Sequence, residues 1–308
     1  MMRKACLEQV YELAKKDSRV VFIGSDLGAG TLCHFQKEMP DRFFMEGIAE
    51  GHAVGMASGM AHEGKIVYIN TIQSFLTRRC YEQIVLDACL HNLNVRFIGN
   101  GGGLVYAPLG PTHWATEDLS ILRVIPNLTI LSPADAEEMV RIMPHTLSHQ
   151  GPIFIRLGKG YDPIVTKEKS FEIGKAYSYG EGKDVLLVGC GVTLGVMQKA
   201  SELLAKEGIA ASILHTPTVK PLDAEMIISK ARNTSCVISV EENTILGGLG
   251  GAVAEILAEA CLDKPLRFKR IGLPDTFSAH YGSQLEHFAH VGITAENILC
   301  EAQKLLRK

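Results

Sequence analysis

The strongest constraint on this chain is a repeated phrase: a short run of β-branched and apolar residues, followed by a helix-like interval. VVFIG (20–24), IVYIN (66–70), VRFIG (95–99), LTILS (128–132) and PIFIRL (152–157) all have this form. Unbroken apolar runs of that length suit strands buried on both faces, as in parallel sheets. Helical patterns over 80–90 and 134–147 fill intervals between them. Parallel neighbours joined through helices need right-handed crossovers, so the first half is expected to be a doubly wound α/β sheet.

The pattern lapses over 158–174 into GKGYDPIVTKEKSFEIG, which is polar and turn-prone and reads as a domain boundary. It then restarts with DVLLVG (184–189), AASIL (210–214) and CVISVE (236–241), with helical patterns over 194–206 and about 251–261. Two α/β domains are therefore expected, 1–165 and 176–308, both doubly wound with mostly parallel sheets and the second smaller. A chain of 308 residues is long enough for two such cores. A net charge of −3 with no basic patch gives no electrostatic reason for a nucleic acid or an anionic membrane as partner. The N-terminal MMRKACLEQVYELAKKD is amphipathic and lacks the uncharged core of a secretion leader, and the apolar runs break at glycines well short of the roughly 18 residues of a membrane span. Eight cysteines without C-x-x-C or zinc spacing read as free buried thiols in a reducing cytoplasm.

Ligands of open α/β sheets gather beyond the C-terminal ends of the strands. That rule puts Ser25, Asp26, Thr71, Gln73, Ser74, 101–103, His113 and Lys159 near one rim. The loop GNGGGLVYAPLGPTHWATED (99–118) gives up conformational order through its glycines and holds the only tryptophan, Trp114, beside His113. GGLGGA (247–252) lacks the third glycine of a nucleotide loop and follows Glu241 and Glu242, which would repel a phosphate. It reads as a turn with tight helix packing. FFMEGIAEGHAVGMASGMAHEG (43–64) sets Glu46 and Glu50 around a glycine turn, then runs into small residues at helical spacing. A helix of that kind can approach a backbone or a flat ligand closely, although each interior glycine costs about 1 kcal/mol relative to alanine. Glu50 falls at its start, where an acid also complements the helix dipole.

Several of these phrases resemble one family. GSDLGAG (24–30), GIAE (47–50), SFLTRRCYEQIVLDA (74–88), GPTHWATEDLSILRVIPN (110–127), SPADAEE (132–138) and GPIFIRLGKG (151–160) fall in the order of the pyrimidine-binding half of transketolases. HTPTVKPLD (215–223) and EENTILGGLGGAVAE (241–255) are similar to that family's C-terminal domain. The resemblance implies thiamine diphosphate as cofactor and transfer of a two-carbon ketol unit from a ketose to an aldehyde. It makes Glu50, and not Glu46, the glutamate that bonds the aminopyrimidine ring, and Glu50 and His113 the catalytic pair. It places Asp26, Ile72 and Phe75 at the cofactor, with Ile72 where a phenylalanine is usual. Arg78, Leu109, His113 and Lys159 become substrate residues. Leu109, with Ala107 and Pro108, stands where the family carries an acidic GED, Lys159 replaces an arginine, and Gly101 falls near a phosphate-binding histidine. A sugar other than the usual pentose phosphate is expected. The GDG motif that binds diphosphate and Mg2+ is missing from the sequence. By the resemblance, this is the C-terminal subunit of a split transketolase, without metal ligands of its own, in an α2β2 assembly whose other chain holds the diphosphate and the metal. The rivals are a 2-oxo acid dehydrogenase β subunit, a deoxyxylulose-phosphate synthase-like enzyme, and a non-catalytic partner subunit.

Overall fold

All of the apolar runs named above form strands, and four shorter or less regular strands join them. The computed structural model describes residues 1–27, 30–158 and 162–307; the expected substrate residue Lys159 lies outside the described residues. The first half builds β1 (Val20–Gly24), β2 (Phe43–Met45), β3 (Ile66–Ile72), β4 (Val95–Asn100), β5 (Thr129–Leu131) and β6 (Ile153–Leu157). The second half builds β7 (Tyr177–Tyr179), β8 (Val185–Gly189), β9 (Ala211–His215), β10 (Thr218–Lys220), β11 (Cys236–Thr244) and β12 (Arg267–Leu273). Between them run α1 (Met2–Lys16), α2 (Cys33–Glu38), α3 (Glu50–His62), α4 (Gln73–Arg79), α5 (Tyr81–Gln83), α6 (Asp118–Leu122), α7 (Ala136–Ser148), α8 (Thr193–Lys206), α9 (Ala224–Arg232), α10 (Leu249–Glu259), α11 (Gln284–Val291) and α12 (Ala295–Arg307). The interval after α5 continues as a π-helical turn, Ile84–Cys89.

One sheet has the order β10-β5-β6-β4-β3-β1-β2 and the other β12-β11-β8-β9-β7. Every pairing is parallel except β10 with β5 and β7 with β9, which close one edge of each sheet. The architecture is the expected α/β class: two mostly parallel sheets flanked by helices. One connection departs from a simple tandem. β10 follows β9 in the chain yet pairs with β5, Thr218 against Leu131 and Lys220 against Ile130, so the edge of the first sheet comes from the second half. A shared apolar cluster accompanies it, with Ile130 and Phe154 of the first half buried together with Leu186, Val188, Leu214 and Val219 of the second.

Three expectations change in detail. All eight cysteines are free, but Cys33, Cys261 and Cys300 are exposed and only the other five are buried. Cys33 begins α2, Cys261 follows α10, and Cys300 lies on the outer side of amphipathic α12. In α3 the inward face is Ala53, Val54, Ala57, Ser58 and Ala61, whereas a Cβ at Gly51, Gly55 or Gly59 would meet nothing within 4 Å. Alanine and serine therefore make the close packing, and the glycines line an open side. The helical pattern at 251–261 begins earlier, and Glu241 caps it: its carboxylate accepts the N–H groups of Leu249 at 2.7 Å and Gly250 at 2.8 Å. A carboxylate thus sits where a phosphate-binding loop would hold its ligand. Burial pushes Glu241 up to about 7. Among the described residues no helix is long and apolar enough to cross a membrane.

Candidate active site

Glu50 is the first residue of α3, just after the turn at Gly47, whose φ of +68° suits glycine. Its carboxyl is 4% exposed. Arg79, at the end of α4, donates from Nη1 to Glu50 Oε2 at 3.1 Å, and the same guanidinium lies 4.0 Å from the centre of the Phe75 ring. Phe75 meets His113 edge-on at 5.0 Å, and His113 in turn meets Tyr106 at 6.4 Å. Glu50, Phe75 and His113, which the family resemblance groups, are thus linked in one row of contacts. Glu46 goes elsewhere, to the exposed His52 at 3.1 Å.

The other expected residues frame this row. Ile72 is half-buried where β3 passes into α4. Asp26 is exposed beyond β1 and accepts from Ser25 at 3.1 Å, while the Ser25 hydroxyl also donates to Thr71 at 3.0 Å. Arg78 is committed within the chain: Nη2 donates to Glu117 at 2.9 Å and Nη1 to the Pro111 carbonyl at 3.0 Å. The bond to Glu117 raises the Arg78 pKa further, so its charge is already matched. Leu109 is 56% exposed on a short 3-10 turn, Ala107–Leu109. Trp114 steadies this loop, donating from Nε1 to the Ala107 carbonyl at 3.0 Å while its ring is buried. Gly101 has φ +85°, and a Cβ there would run into the Tyr106 ring, so the tyrosine fills the space beside it. Burial raises the Tyr106 phenol, and the nearby Arg3 opposes that shift.

Beneath the loop lies a buried polar network that the sequence did not announce. Gln73 and Arg156 both donate to Asp118, the latter from Nε at 2.8 Å, and Arg156 Nη2 donates to the Glu242 carbonyl at 2.7 Å. The Glu242 carboxylate accepts the Leu104 N–H at 2.8 Å and the Gln284 amide at 2.6 Å. Burial pulls the Arg156 guanidinium down, but Asp118 and Glu242 outweigh it and hold the charge in place. The start of α4 is thereby tied through β6 to β11 and α11 of the second half. These partners are 38 and 86 positions apart in sequence, so no spacing pattern reveals them. Arg79 and Tyr106 escape sequence reasoning for a related reason: their relevance comes from helix phase and loop path.

The arrangement fits an aminopyrimidine ring. A guanidinium is flat and cationic, and here one stacks on Phe75 while an N–H donates to the buried Glu50 carboxyl. A protonatable aromatic ring can satisfy the same two surfaces, one apolar and one an acceptor. Among the described residues no group of three His, Cys, Asp or Glu side chains is placed to hold a metal ion.

Comparison with known proteins agrees with this geometry. The family described as "Transketolase, pyrimidine binding domain" matches residues 1–161, and "Transketolase, C-terminal domain" matches 174–298. One of the two subunits of an apulose-4-phosphate transketolase of Phocaeicola vulgatus is 35% identical over 309 residues, covering 99% of this chain and 97% of that protein. The 1-deoxy-D-xylulose-5-phosphate synthase 1 of Geobacter sulfurreducens is 39% identical over 299 residues, and there the chain spans only about half of the relative, 46% of its length. The solved structure "Split gene transketolase, inactive beta4 tetramer" superposes with a TM-score of 0.89 at 33% identity, over 99% of this chain and 98% of that one. A buried glutamate at the head of a small-residue helix, an aromatic face beside it, and two family patterns in tandem lead to one assignment: the chain belongs to the transketolase family.

Proposed function

We propose that this chain is the C-terminal subunit of a thiamine-diphosphate-dependent transketolase, moving a two-carbon ketol unit from a ketose to an aldehyde. The observation that carries the reading is Glu50, a carboxyl 4% exposed at the start of α3 and linked through Arg79 to the Phe75 face. When bound, the cofactor supplies a carbanion able to add to a ketose carbonyl. This chain's part is to present Glu50 to a nitrogen of the aminopyrimidine, where a desolvated carboxyl can share a proton, and to give that ring an apolar wall in Phe75. His113, against Phe75, is placed to hydrogen-bond the ketose oxygen or move a proton to it. Asp26 and Ile72 complete the cofactor side. Leu109, and Lys159 in the sequence, belong to the substrate side.

The diphosphate and Mg2+ belong to a second polypeptide with a GDG motif, a division that the naming of the Phocaeicola relative as a subunit also supports. The assembly is α2β2, symmetric, with sites at subunit interfaces, and works in the cytoplasm. Titration calorimetry and turnover test this directly: the isolated chain binds thiamine diphosphate weakly and turns over no ketose, while the co-expressed pair does both. Micromolar binding by the isolated chain contradicts the proposal. The identity to the Geobacter synthase favours a second reading, carboligation of a 2-oxo acid with loss of CO2. Release of CO2 from pyruvate by the co-expressed pair separates the two.

A further inference from the structure

The guanidinium of Arg79 occupies the two surfaces that the proposed site needs. It stacks 4.0 Å from the centre of Phe75 and donates to Glu50 at 3.1 Å. Its neighbour Arg78 is held by Glu117 and Pro111, so the two adjacent arginines have separate partners. The geometry points to Arg79 as an internal competitor for the cofactor: a positioning residue that ties Glu50 to Phe75 in the free subunit and that the aminopyrimidine ring must displace. This rests on the thiamine diphosphate function proposed above.

The physical argument is one of exclusion. A flat ring cannot lie against the guanidinium-covered face of Phe75 and also bond a carboxylate oxygen already engaged by that guanidinium. The Arg79 side chain is 51% exposed, so it has solvent to move into, whereas Glu50 at 4% does not. A half-exposed ion pair and a cation–π contact are each weak enough for a ligand to break, together favouring the closed arrangement by a factor of about 5 to 20. Arg79 therefore sets the cofactor affinity without touching the reacting carbon.

The test is titration calorimetry of thiamine diphosphate with Mg2+ on the assembled two-subunit enzyme, for the native chain, Arg79→Met, Arg79→Lys and Glu50→Gln. Displacement predicts that Arg79→Met binds about 5- to 20-fold more tightly, because a merely structural role cannot tighten binding. Arg79→Lys falls between native and Met, and carries the test if the Met variant fails to fold. In a Glu50→Gln background the gain from Arg79→Met shrinks, since part of the contact is already gone. Equal or weaker binding by the folded Arg79 variants overturns the inference. If that occurs while the native enzyme binds the cofactor and Glu50→Gln abolishes turnover, only the displacement fails. If the native assembly does not bind thiamine diphosphate, the functional reading fails with it.

Discussion

Glu46 and Glu50 flank one glycine turn, and the fold gives them opposite surroundings. Glu46 shares an exposed pair with His52, while Glu50 is buried beside the Phe75 row. Glu50→Gln is expected to lower turnover of the assembled enzyme by at least about 10²-fold with little change in KM, the scale of a general acid–base group. Glu46→Gln should be mild in the same steady-state assay, and the reverse order would mean the other acid carries the chemistry. Leu109 gives a specificity prediction. An aspartate that bonds a sugar hydroxyl contributes about 1.5 to 3 kcal/mol, which leucine cannot supply. The native enzyme should thus use xylulose 5-phosphate and fructose 6-phosphate poorly, and Leu109→Asp with Pro108→Glu should recover part of kcat/KM on both. A native kcat/KM above about 10⁴ M⁻¹s⁻¹ on xylulose 5-phosphate contradicts this. At this scale the sequence was legible wherever a motif holds its residue in a fixed local frame, as with GIAE and GPTH. It could not choose between Arg78 and Arg79, because only the phase of α4 turns one to Glu117 and the other to Glu50.

At the scale of elements, α3 reads clearly from its small residues, yet its two faces were not distinguishable before packing was known. The stripe Gly51, Gly55 and Gly59 has open space where side chains would go. Gly55→Ala and Gly59→Ala should each stabilise the isolated chain by about 0.5 to 1 kcal/mol, by removing backbone freedom from the unfolded state. Urea unfolding of the two variants checks this, and destabilisation would mean that the open side is filled. The long buried strands announced themselves as apolar runs. β10 did not, because three residues within HTPTVKPLD carry no period, and β12 did not, because its RFKR start is partly exposed and charged. Short edge strands are defined by their neighbours more than by their own residues.

For the whole molecule, the halves are joined by buried charge as well as by apolar packing. Burial raises Glu241 from an ordinary 4.5 to about 7, and Glu242 behaves likewise. Between those values the unfolded chain has released a proton that the folded chain still holds. Stability therefore falls as pH rises from about 4.5 to 7 and levels off above it. The difference in Tm between about pH 5 and about pH 7.5 should shrink in Glu241→Gln, and an unchanged difference would mean that Glu241 is ionised throughout.

The strand exchange at β10 bears on how the protein is made. Translation delivers β1 to β6 first, but β5 lacks its second neighbour until residues 218–220 have been synthesised. Until then the nascent first sheet carries an unpaired edge, the feature that natural β proteins guard against because it recruits other chains. Folding of the first sheet thus waits on synthesis of the second half. A gene divided at the polar stretch 158–174 would yield an N-terminal product with that edge permanently open.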